Sequence, residues 1–270
     1  MDTSTPGGAG RVPRSDEQRD RRQYIRDRVS GEGFVRAADL AGQFGVSLMT
    51  IHRDLDALQS QGWLRKVRGG ATALSSTVFH GNVSERMAAM ADTKKRLADA
   101  ALSLIAPGQA IMLDDSTTCL YLAERLTERT PLTVITNFFP VIKLLAGESG
   151  ISLVALGGTY FPAYDAFLGL HTAEAVASFR ADTLFMSTTA ITRGRCYHQS
   201  QETVHVKRAL IDSAARRVLL ADHTKFTREG LHTLAPLTAF DIVLTDSGLP
   251  AEEQRRIRDL GVTLKVVGRA

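Results

Sequence analysis

Residues 47–60 form the stretch that most constrains the fold, because they predict one short amphipathic helix. Their sequence is Ser-Leu-Met-Thr-Ile-His-Arg-Asp-Leu-Asp-Ala-Leu-Gln-Ser. Ser47 is a good N-cap, and Ile51, Leu55 and Leu58 recur at helical spacing to give one apolar face. Taken alone, the segment fits an ordinary surface helix as well as a DNA recognition helix, whose first turns read the major groove. The residues crowded into its first turns are Leu48, Met49, Thr50, His52 and Arg53.

The residues before this helix complete a helix-turn-helix order. A charged helix is predicted over residues 15–29, and Gly31 and Gly33 end it. A second short helix is predicted over residues 37–44, and the Gly45-Val46 turn leads into the recognition helix. A helix, a glycine-containing turn and a second helix are the parts of a helix-turn-helix unit.

The residues after the helix predict a basic wing. Trp63, Leu64 and Val67 can anchor a small hairpin, whereas a solvated basic turn is the alternative. The formal net charge is +4, and residues 1–72 hold +3 of it, with 12 Lys+Arg against 9 Asp+Glu. This asymmetry favours a polyanionic partner for the N-terminal part. The cations placed to face outward from the hairpin are Arg65, Lys66 and Arg68.

From Thr93 onward, short apolar strands alternate with helices, which predicts a mainly parallel sheet covered on both faces. The predicted strands are 110–113, 132–136, 151–156, 183–187, 218–221, 242–245 and 262–267. The predicted helices are 93–105, 118–127, 139–146, 172–179 and 202–215.

Small, polar or charged residues follow five successive strands of this predicted sheet. Each loop alone fits a turn or a helix cap. In open parallel sheets, however, ligands bind beyond the carboxyl ends of the strands, and helix N-termini and a lysine there suit a phosphate. A pocket for a phosphorylated sugar or polyol is therefore predicted, with Lys225 as counter-charge. Its candidate residues are Asp114, Ser116, Thr117, Thr118, Thr136, Asn137, Gly157, Gly158, Glu202, Asp222 and Lys225.

Residues in both halves of the chain carry a resemblance to one known family. In the N-terminal half they are 38–41, 45–47, 50–55, Leu58, Gly62, Leu64 and 68–71. In the C-terminal half they are 114–126, 132–137, 156–158, 181–185, 206–211 and 219–226. On these residues the chain, over about 15–250, resembles the DeoR-type bacterial transcriptional repressors.

The resemblance implies a winged helix-turn-helix joined to a sensor domain similar in fold to ribose-5-phosphate isomerases and CoA transferases. It also implies a regulator of carbohydrate catabolism that a phosphorylated sugar releases from double-stranded operator DNA. Bases and phosphates are expected to be contacted by Ser47, Met49, Thr50, His52, Arg53, Arg65, Lys66 and Arg68.

The sequence departs from the family pattern at pocket loops. Ser116, Ser187 and Ala190 stand where the family usually has glycine, which lets backbone amides approach a phosphate closely. The loop 161–167 is also more aromatic than is usual in the family. The ligand class therefore stays open between a phosphorylated sugar and a larger or less charged metabolite, and simple repacking of the loops is the other explanation.

The alternative class is a sugar-phosphate isomerase or CoA-transferase-like enzyme with a DNA-binding appendage, for which Asp114, Asp115 or Glu202 would supply the base or nucleophile. The resemblance favours a regulator with no catalytic residues and no cofactor. The histidines and the lone Cys119 and Cys196 have no metal-ligand spacing.

The predicted organisation is a disordered tail (1–14), a winged helix-turn-helix (15–71), a linker (72–92) and an effector-binding and oligomerisation domain (93–270). No apolar run approaches the roughly 18 residues of a membrane span. We therefore expect a cytoplasmic homo-oligomer, dimeric or tetrameric, because useful specificity needs more than one half-site.

Overall fold

The computed structural model describes residues 14–60, 63–73 and 83–268, and the chain divides into two compact units, Met1–Ser75 and Ser76–Ala270. Of the predicted tail only Arg14 is described, and it begins the first helix. Residues 74–82 of the predicted linker lie outside the described residues. The elements of the N-terminal unit are α1 (Arg14–Glu32), β1 (Phe34–Arg36), α2 (Ala37–Phe44), α3 (Leu48–Ser60), β2 (Leu64–Val67) and β3 (Gly70–Ala73).

The turn between α2 and α3 forms because Gly45 takes a left-handed conformation, with φ at 61°. The Ser47 hydroxyl then accepts a hydrogen bond from the Thr50 amide at 3.1 Å, which satisfies a donor in the first turn of α3. The predicted apolar face of this helix is confirmed, since its members pack inside the unit. They are Ile51, Leu55 and Leu58. The helix α1 continues to Glu32, so of the two glycines predicted to end it only Gly33 does so.

A buried carboxylate ties α1 to the recognition helix. Asp54 is fully buried on α3 and accepts hydrogen bonds from Arg21 and Arg22, each at 2.7 Å, and from Gln18 at 3.2 Å. A buried charge is tolerated only where it is paired and hydrogen-bonded in this way. The cluster therefore holds α3 in place while its opposite face stays open to solvent.

The wing is an antiparallel sheet with strand order β1-β3-β2. Gly69 turns the hairpin with φ at 82°. Gly70 lets β1 approach, because a Cβ there would lie 2.0 Å from the Val35 carbonyl oxygen. The predicted hairpin after the recognition helix is thereby confirmed.

The C-terminal unit is built around a parallel sheet. Its helices are α4 (Val83–Ala88), α5 (Ala91–Leu102), α6 (Thr117–Ala123), α7 (Phe139–Leu145), α8 (Leu170–Ala177), α9 (Gln201–Asp212) and α10 (Ala251–Asp259). Its strands are β4 (Ala110–Leu113), β5 (Leu132–Thr136), β6 (Ile151–Ala155), β7 (Thr159–Phe161), β8 (Ala166–Leu168), β9 (Ala181–Met186), β10 (Ala190–Thr192), β11 (Arg195–His198), β12 (Ala214–Leu220), β13 (His232–Pro236), β14 (Ile242–Asp246) and β15 (Thr263–Val267).

Seven of these strands form one sheet in the order β15-β14-β12-β9-β4-β5-β6, with every neighbouring pair parallel. The chain runs from β4 outward through β5 and β6, and then returns to place β9 on the other side of β4. Helix α6 packs against α7, and α8 packs against α9. Because the winding direction reverses after β6, right-handed crossovers are expected to place these two pairs on opposite faces of the sheet. The direction of winding therefore reverses between β4 and β9, where open sheets form their ligand crevice.

The predicted seven strands and five helices of this unit are all present, with shifted ends at most of them. Smaller elements were not predicted: α4, α10, the hairpin β7-β8 and the antiparallel sheet β10-β11-β13. The predicted linker is wrong in its second part, because residues 83–92 contain α4 and the start of α5. Within the described ranges, no helix is long and apolar enough to cross a membrane.

Candidate nucleic-acid interface and ligand pocket

The outer face of α3 presents apolar and cationic side chains to solvent. Met49 is 63% exposed and Leu48 is 50% exposed. Arg53, one turn beyond Met49, is exposed, and its guanidinium makes no ion pair or hydrogen bond with another described residue. Thr50 is half-buried, and its hydroxyl lies 3.0 Å from that of Ser47. His52 is also half-buried, and its Nδ1 has no hydrogen-bond partner within the described ranges.

The three wing cations do not have equal surroundings. Arg65 and Arg68 are exposed, so each can reach an anion directly. Lys66 forms an ion pair with Asp56 of α3 at 2.5 Å, and its amide donates to Gln59 at 2.6 Å. Lys66 thus fastens the wing to the helix, and a phosphate would have to compete with Asp56 for it.

A cavity of about 460 Å³ lies at the carboxyl ends of β4, β9 and β12, in the crevice that the sheet order predicts. Five of the predicted effector residues line it, together with a wall from α4 and α5. The five are Ser116, Thr117, Thr118, Asp222 and Lys225. The other lining residues are Glu85, Arg86, Ala89, Met90, Lys94, Asp115, Ser187, Thr188, Thr189, His198, Lys207, Thr224 and Arg228.

The cavity carries more positive than negative side chains. Its lining includes five lysines and arginines but only three carboxylates. Arg86 is half-buried, and its Nε and Nη2 atoms are enclosed with no hydrogen-bond partner among the described residues. Burial lowers the pKa of this guanidinium, although nearby Asp115 acts in the opposite direction. An enclosed cation without a partner costs free energy, which an anionic ligand would recover.

Two lysines of the cavity have low pKa values. Burial, reinforced by nearby Lys225, lowers the pKa of Lys94 to about 8. Burial likewise lowers the pKa of Lys225 to about 8, although Asp222, 4.0 Å away, favours its charged form. Lys94 also donates to the Thr117 hydroxyl at 3.0 Å and to the Arg86 carbonyl oxygen, so it joins α4 and α5 to the start of α6.

At the inner wall of the cavity, a buried ion network holds the loops after β4 and β9 together. Lys207 contacts Asp114, and it lies 3.0 Å from Asp115 and 3.2 Å from the Ser187 carbonyl oxygen. Asp114 accepts hydrogen bonds from the amides of Ser116 at 3.1 Å and Ser187 at 2.8 Å. Asp114 is fully buried by these contacts and lies behind the cavity wall, which corrects its predicted place in the lining.

Charges within the network offset the effect of burial. Burial alone would raise the pKa of Asp115, but Lys207, His198 and Arg86 outweigh it and the net shift is downward. Burial alone would lower the pKa of Lys207, but Asp114 and Asp115 raise it above its ordinary value. The Asp115 carboxylate and the Lys207 ammonium are therefore held in their charged forms.

The remaining predicted effector residues do not line the cavity. Most of them follow β5 and β6, which lie beyond β4 and away from the switch point, the place between β4 and β9 where the winding direction reverses. Thr136 accepts a hydrogen bond from the Phe138 amide, and Asn137 donates to the Phe167 carbonyl oxygen, which fixes the β7-β8 hairpin. Gly157 and Gly158 instead meet α8, where Thr172 donates to the Gly157 carbonyl oxygen. Glu202 is exposed at the start of α9, where it accepts from Ser200.

Several lining residues were missed by sequence reasoning, although a signal was present. Lys94 takes the position of an apolar residue in the buried stripe of α5, with Leu97, Ala98 and Ala101. Lys207 takes such a position on α9, between Val204 and Leu210. A lysine at a core position of an amphipathic helix is rare unless it is paired or faces a site. Arg86 and Arg228 carry no such signal.

The three departures from the family's glycines have different settings. Ser116 caps α6 by accepting from the Cys119 amide at 3.2 Å, and its side chain also lines the cavity. Ser187 lines the cavity as well. Ala190 is buried in β10 and does not line it. The aromatic loop is the β7-β8 hairpin, where Phe167 and Tyr160 have ring centroids 5.7 Å apart.

Two family models match the chain. One, described as the DeoR C terminal sensor domain, matches residues 89–247, and another, described as a DeoR-like helix-turn-helix domain, matches residues 21–77. A solved structure of a D-ribose-5-phosphate isomerase in complex with phospho-erythronic acid is similar with a TM-score of 0.38 and 17% identity, over 50% of this chain and 54% of that one.

Curated relatives are similar over nearly their whole length. The uncharacterized HTH-type transcriptional regulator YgbI of Escherichia coli K12 is 33% identical over 92% of this chain and 97% of that protein. The glycerol-3-phosphate regulon repressor of the same organism is 27% identical over 93% of this chain and 99% of that protein. The chain therefore belongs to the DeoR family and is a DNA-binding transcriptional regulator.

Proposed function

We propose that this regulator represses genes of carbohydrate catabolism and is released from its operator when a phosphorylated sugar or related metabolite fills the cavity between β4 and β9. The observation that carries the proposal is the charge of that cavity. Lys207 is paired with Asp114 and Asp115, and the other charged lining residues are four cations, Arg86, Lys94, Lys225 and Arg228, against the carboxylates Glu85 and Asp222. A phosphate monoester carries about −1.5 to −2 charges at neutral pH, and these cations would supply its counter-charges. The volume of about 460 Å³ also lies in the range of small-molecule sites.

The lining supplies separate partners for the two parts of such a ligand. Arg86 and Lys225 would bind the phosphoryl oxygens, because both are enclosed cations at the cavity wall. Asp222 and the Thr118 hydroxyl would take the sugar hydroxyls. A relative named for a glycerol-3-phosphate regulon supports a phosphorylated effector class.

On the DNA side, Thr50, His52 and Arg53 would contact bases or phosphates in the major groove, with Ser47 and Met49 near the start of the helix. Arg65 and Arg68 would hold the phosphate backbone, and Lys66 would do so after leaving Asp56. One winged unit contacts one half-site, so we propose that the protein is a homo-oligomer. We also propose that it is cytoplasmic, because bacterial operator DNA is in the cytoplasm.

The proposal also holds that the sensor unit binds its ligand without turnover. A general base works best with a pKa near the operating pH, whereas the pKa of Asp115 is lowered and Asp114 is closed off behind the wall. Glu202 lies outside the cavity. Purified protein incubated with ribose-5-phosphate should therefore form no product, and sustained isomerisation would contradict this part.

The test is a gel shift on DNA from upstream of the protein's own gene, with sugar phosphates paired with their unphosphorylated parents. One phosphorylated compound should release the DNA while its parent sugar does not. Lys225→Gln should raise the concentration needed for half-release about 10- to 100-fold, the effect of losing a charge-assisted hydrogen bond.

The matched control is Lys265→Gln, which removes an exposed lysine from β15 of the same unit. It should leave the release concentration unchanged. Equal release by a free sugar and its phosphate, or equal effects of the two lysine substitutions, would refute a phosphate-binding cavity.

A further inference from the structure

The first turn of α3 exposes two large apolar side chains that follow each other in the sequence. Met49 and Leu48 are the most exposed large hydrophobic residues described in the N-terminal unit. The other two, Tyr24 and Phe34, are 40% and 43% exposed. Tyr24 has partners of its own, since its hydroxyl accepts from Gln43 and its ring packs edge-on against Phe44 at 5.2 Å.

The position of these side chains on the helix matters as much as their exposure. The inner stripe of α3 contains Ile51, Leu55 and Leu58, all buried. Met49 lies on the opposite side, in line with Arg53. Leu48 is on the side of Leu55, but it is the first residue of the helix and is exposed at its N-terminal end. The N-terminal end of α3, which in a recognition helix contacts base edges, thus exposes two apolar side chains, and the outer face continues one turn later with the exposed guanidinium of Arg53.

Apolar side chains cannot bind phosphates, so their target on DNA has to be apolar as well. The major groove offers one such group at base edges, the C5-methyl group of thymine. Arg53 has the complementary chemistry, because a guanidinium donates to O6 and N7 of guanine. Four residues of helix rise about 6 Å, which corresponds to about two base-pair steps.

We propose that Met49 and Leu48 read thymine methyl groups, so that the operator half-site contains a methyl-bearing T·A pair within about two base pairs of a guanine contacted by Arg53. This inference rests on the proposed function, since it requires that α3 enters the major groove. It goes beyond that function by naming the base groups that the helix selects in the operator and by giving Leu48 a role in specificity.

The experiment begins with selection of DNA duplexes from a random library by the full-length protein. Each thymine of the selected duplex is then replaced in turn by deoxyuridine, which removes only the methyl group. At one or two positions the replacement should weaken binding about fourfold, the effect of one apolar carbon losing its contact. Replacement at other thymines should leave affinity unchanged.

Substitutions assign each methyl group to a side chain. Met49→Ala and Leu48→Ala should each bind the thymine duplex more weakly, and each should lose the deoxyuridine penalty at its own position. Leu170→Ala, which truncates an exposed leucine of the sensor unit, is the matched control and should keep the full penalty. Thermal melting of each variant verifies that these surface changes leave the fold intact.

The outcomes separate this inference from the proposed function. An enriched sequence without any methyl-sensitive thymine would overturn the inference while leaving sequence-specific binding in place. A penalty that persists unchanged in both Met49→Ala and Leu48→Ala would overturn it as well. If no duplex is enriched at all, both the inference and sequence-specific regulation by this chain fail.

Discussion

The loops after β4 and β5 are similar in sequence but have different roles in the structure. Each follows an apolar strand, carries a hydroxyl or amide side chain, and leads into a helix. The loop after β4 lines the cavity and is held by buried charges. The loop after β5 holds a hairpin by neutral hydrogen bonds. Strand position relative to the switch point, more than loop composition, decides which polar strand end becomes a ligand site.

The largest expected difference between the two loops is in stability. Lys207→Met leaves Asp114 and Asp115 buried without their counter-charge, and it should lower the free energy of unfolding by about 3–5 kcal/mol. Asn137→Ala removes one neutral hydrogen bond to the hairpin and should cost about 1–3 kcal/mol. Denaturant unfolding followed by circular dichroism measures both.

Trp63 provides an internal control for this experiment, because it is the single tryptophan and belongs to the N-terminal unit. Its fluorescence therefore follows the unfolding of that unit, and comparison with circular dichroism shows whether a loss of stability is confined to the C-terminal unit. Equal losses in the two variants would mean that the charge network does not distinguish the loops.

Next in size is the pH dependence of effector binding. The phosphate stays dianionic above pH 7, whereas Lys94 and Lys225, each with a pKa of about 8, lose their charge as the pH rises. Affinity for a phosphorylated effector should therefore fall between pH 7 and pH 9, by about tenfold for each lysine that must be charged.

Calorimetry on the full-length protein with the compound identified by the gel shift measures this dependence directly. Lys225→Gln should retain only the part that is due to Lys94. An affinity that is constant or rises from pH 7 to pH 9 would show that these lysines do not bind the anion.

The smallest effect is also the most direct comparison of the loops. Thr118 lines the cavity, and its hydroxyl has no hydrogen bond among the described residues, so Thr118→Val should raise the effector concentration for half-release about five- to tenfold. Thr136→Val should leave that concentration unchanged and lower the free energy of unfolding by about 1 kcal/mol, because the Phe138 amide loses its acceptor.

The same gel shift and unfolding measurements cover both variants. If Thr136→Val alters effector release as strongly as Thr118→Val does, the assignment of effector binding to the loop after β4 alone is wrong. In that case the site would extend beyond β4 toward β5, as the polar strand ends first indicated.

Local sequence patterns were enough to predict most of the elements. The strands 110–113 and 132–136 have the predicted bounds, because a short apolar run between turn residues is itself the signal. The helix-turn-helix was predictable for the same reason, since Gly45, Ser47 and the spacing of Ile51 and Leu55 act within a few residues.

The order of strands was not predictable in this way, because it depends on contacts between residues far apart in the sequence. Lys207 reaches Asp114 across 93 positions, and only their meeting shows which strand ends share a crevice. The place of Arg86 in the cavity was hidden as well, since a short helix in a polar stretch resembles a linker until it packs.

The charge of the cavity also has a consequence for how fast the regulator responds. The lysines and arginines that line it attract an anion from a distance and raise its association rate, an effect that salt weakens. Differences among related effectors would then appear mainly in how long each stays bound. For the repressor proposed here, the residence time of the metabolite would set how soon repression returns after the metabolite is consumed.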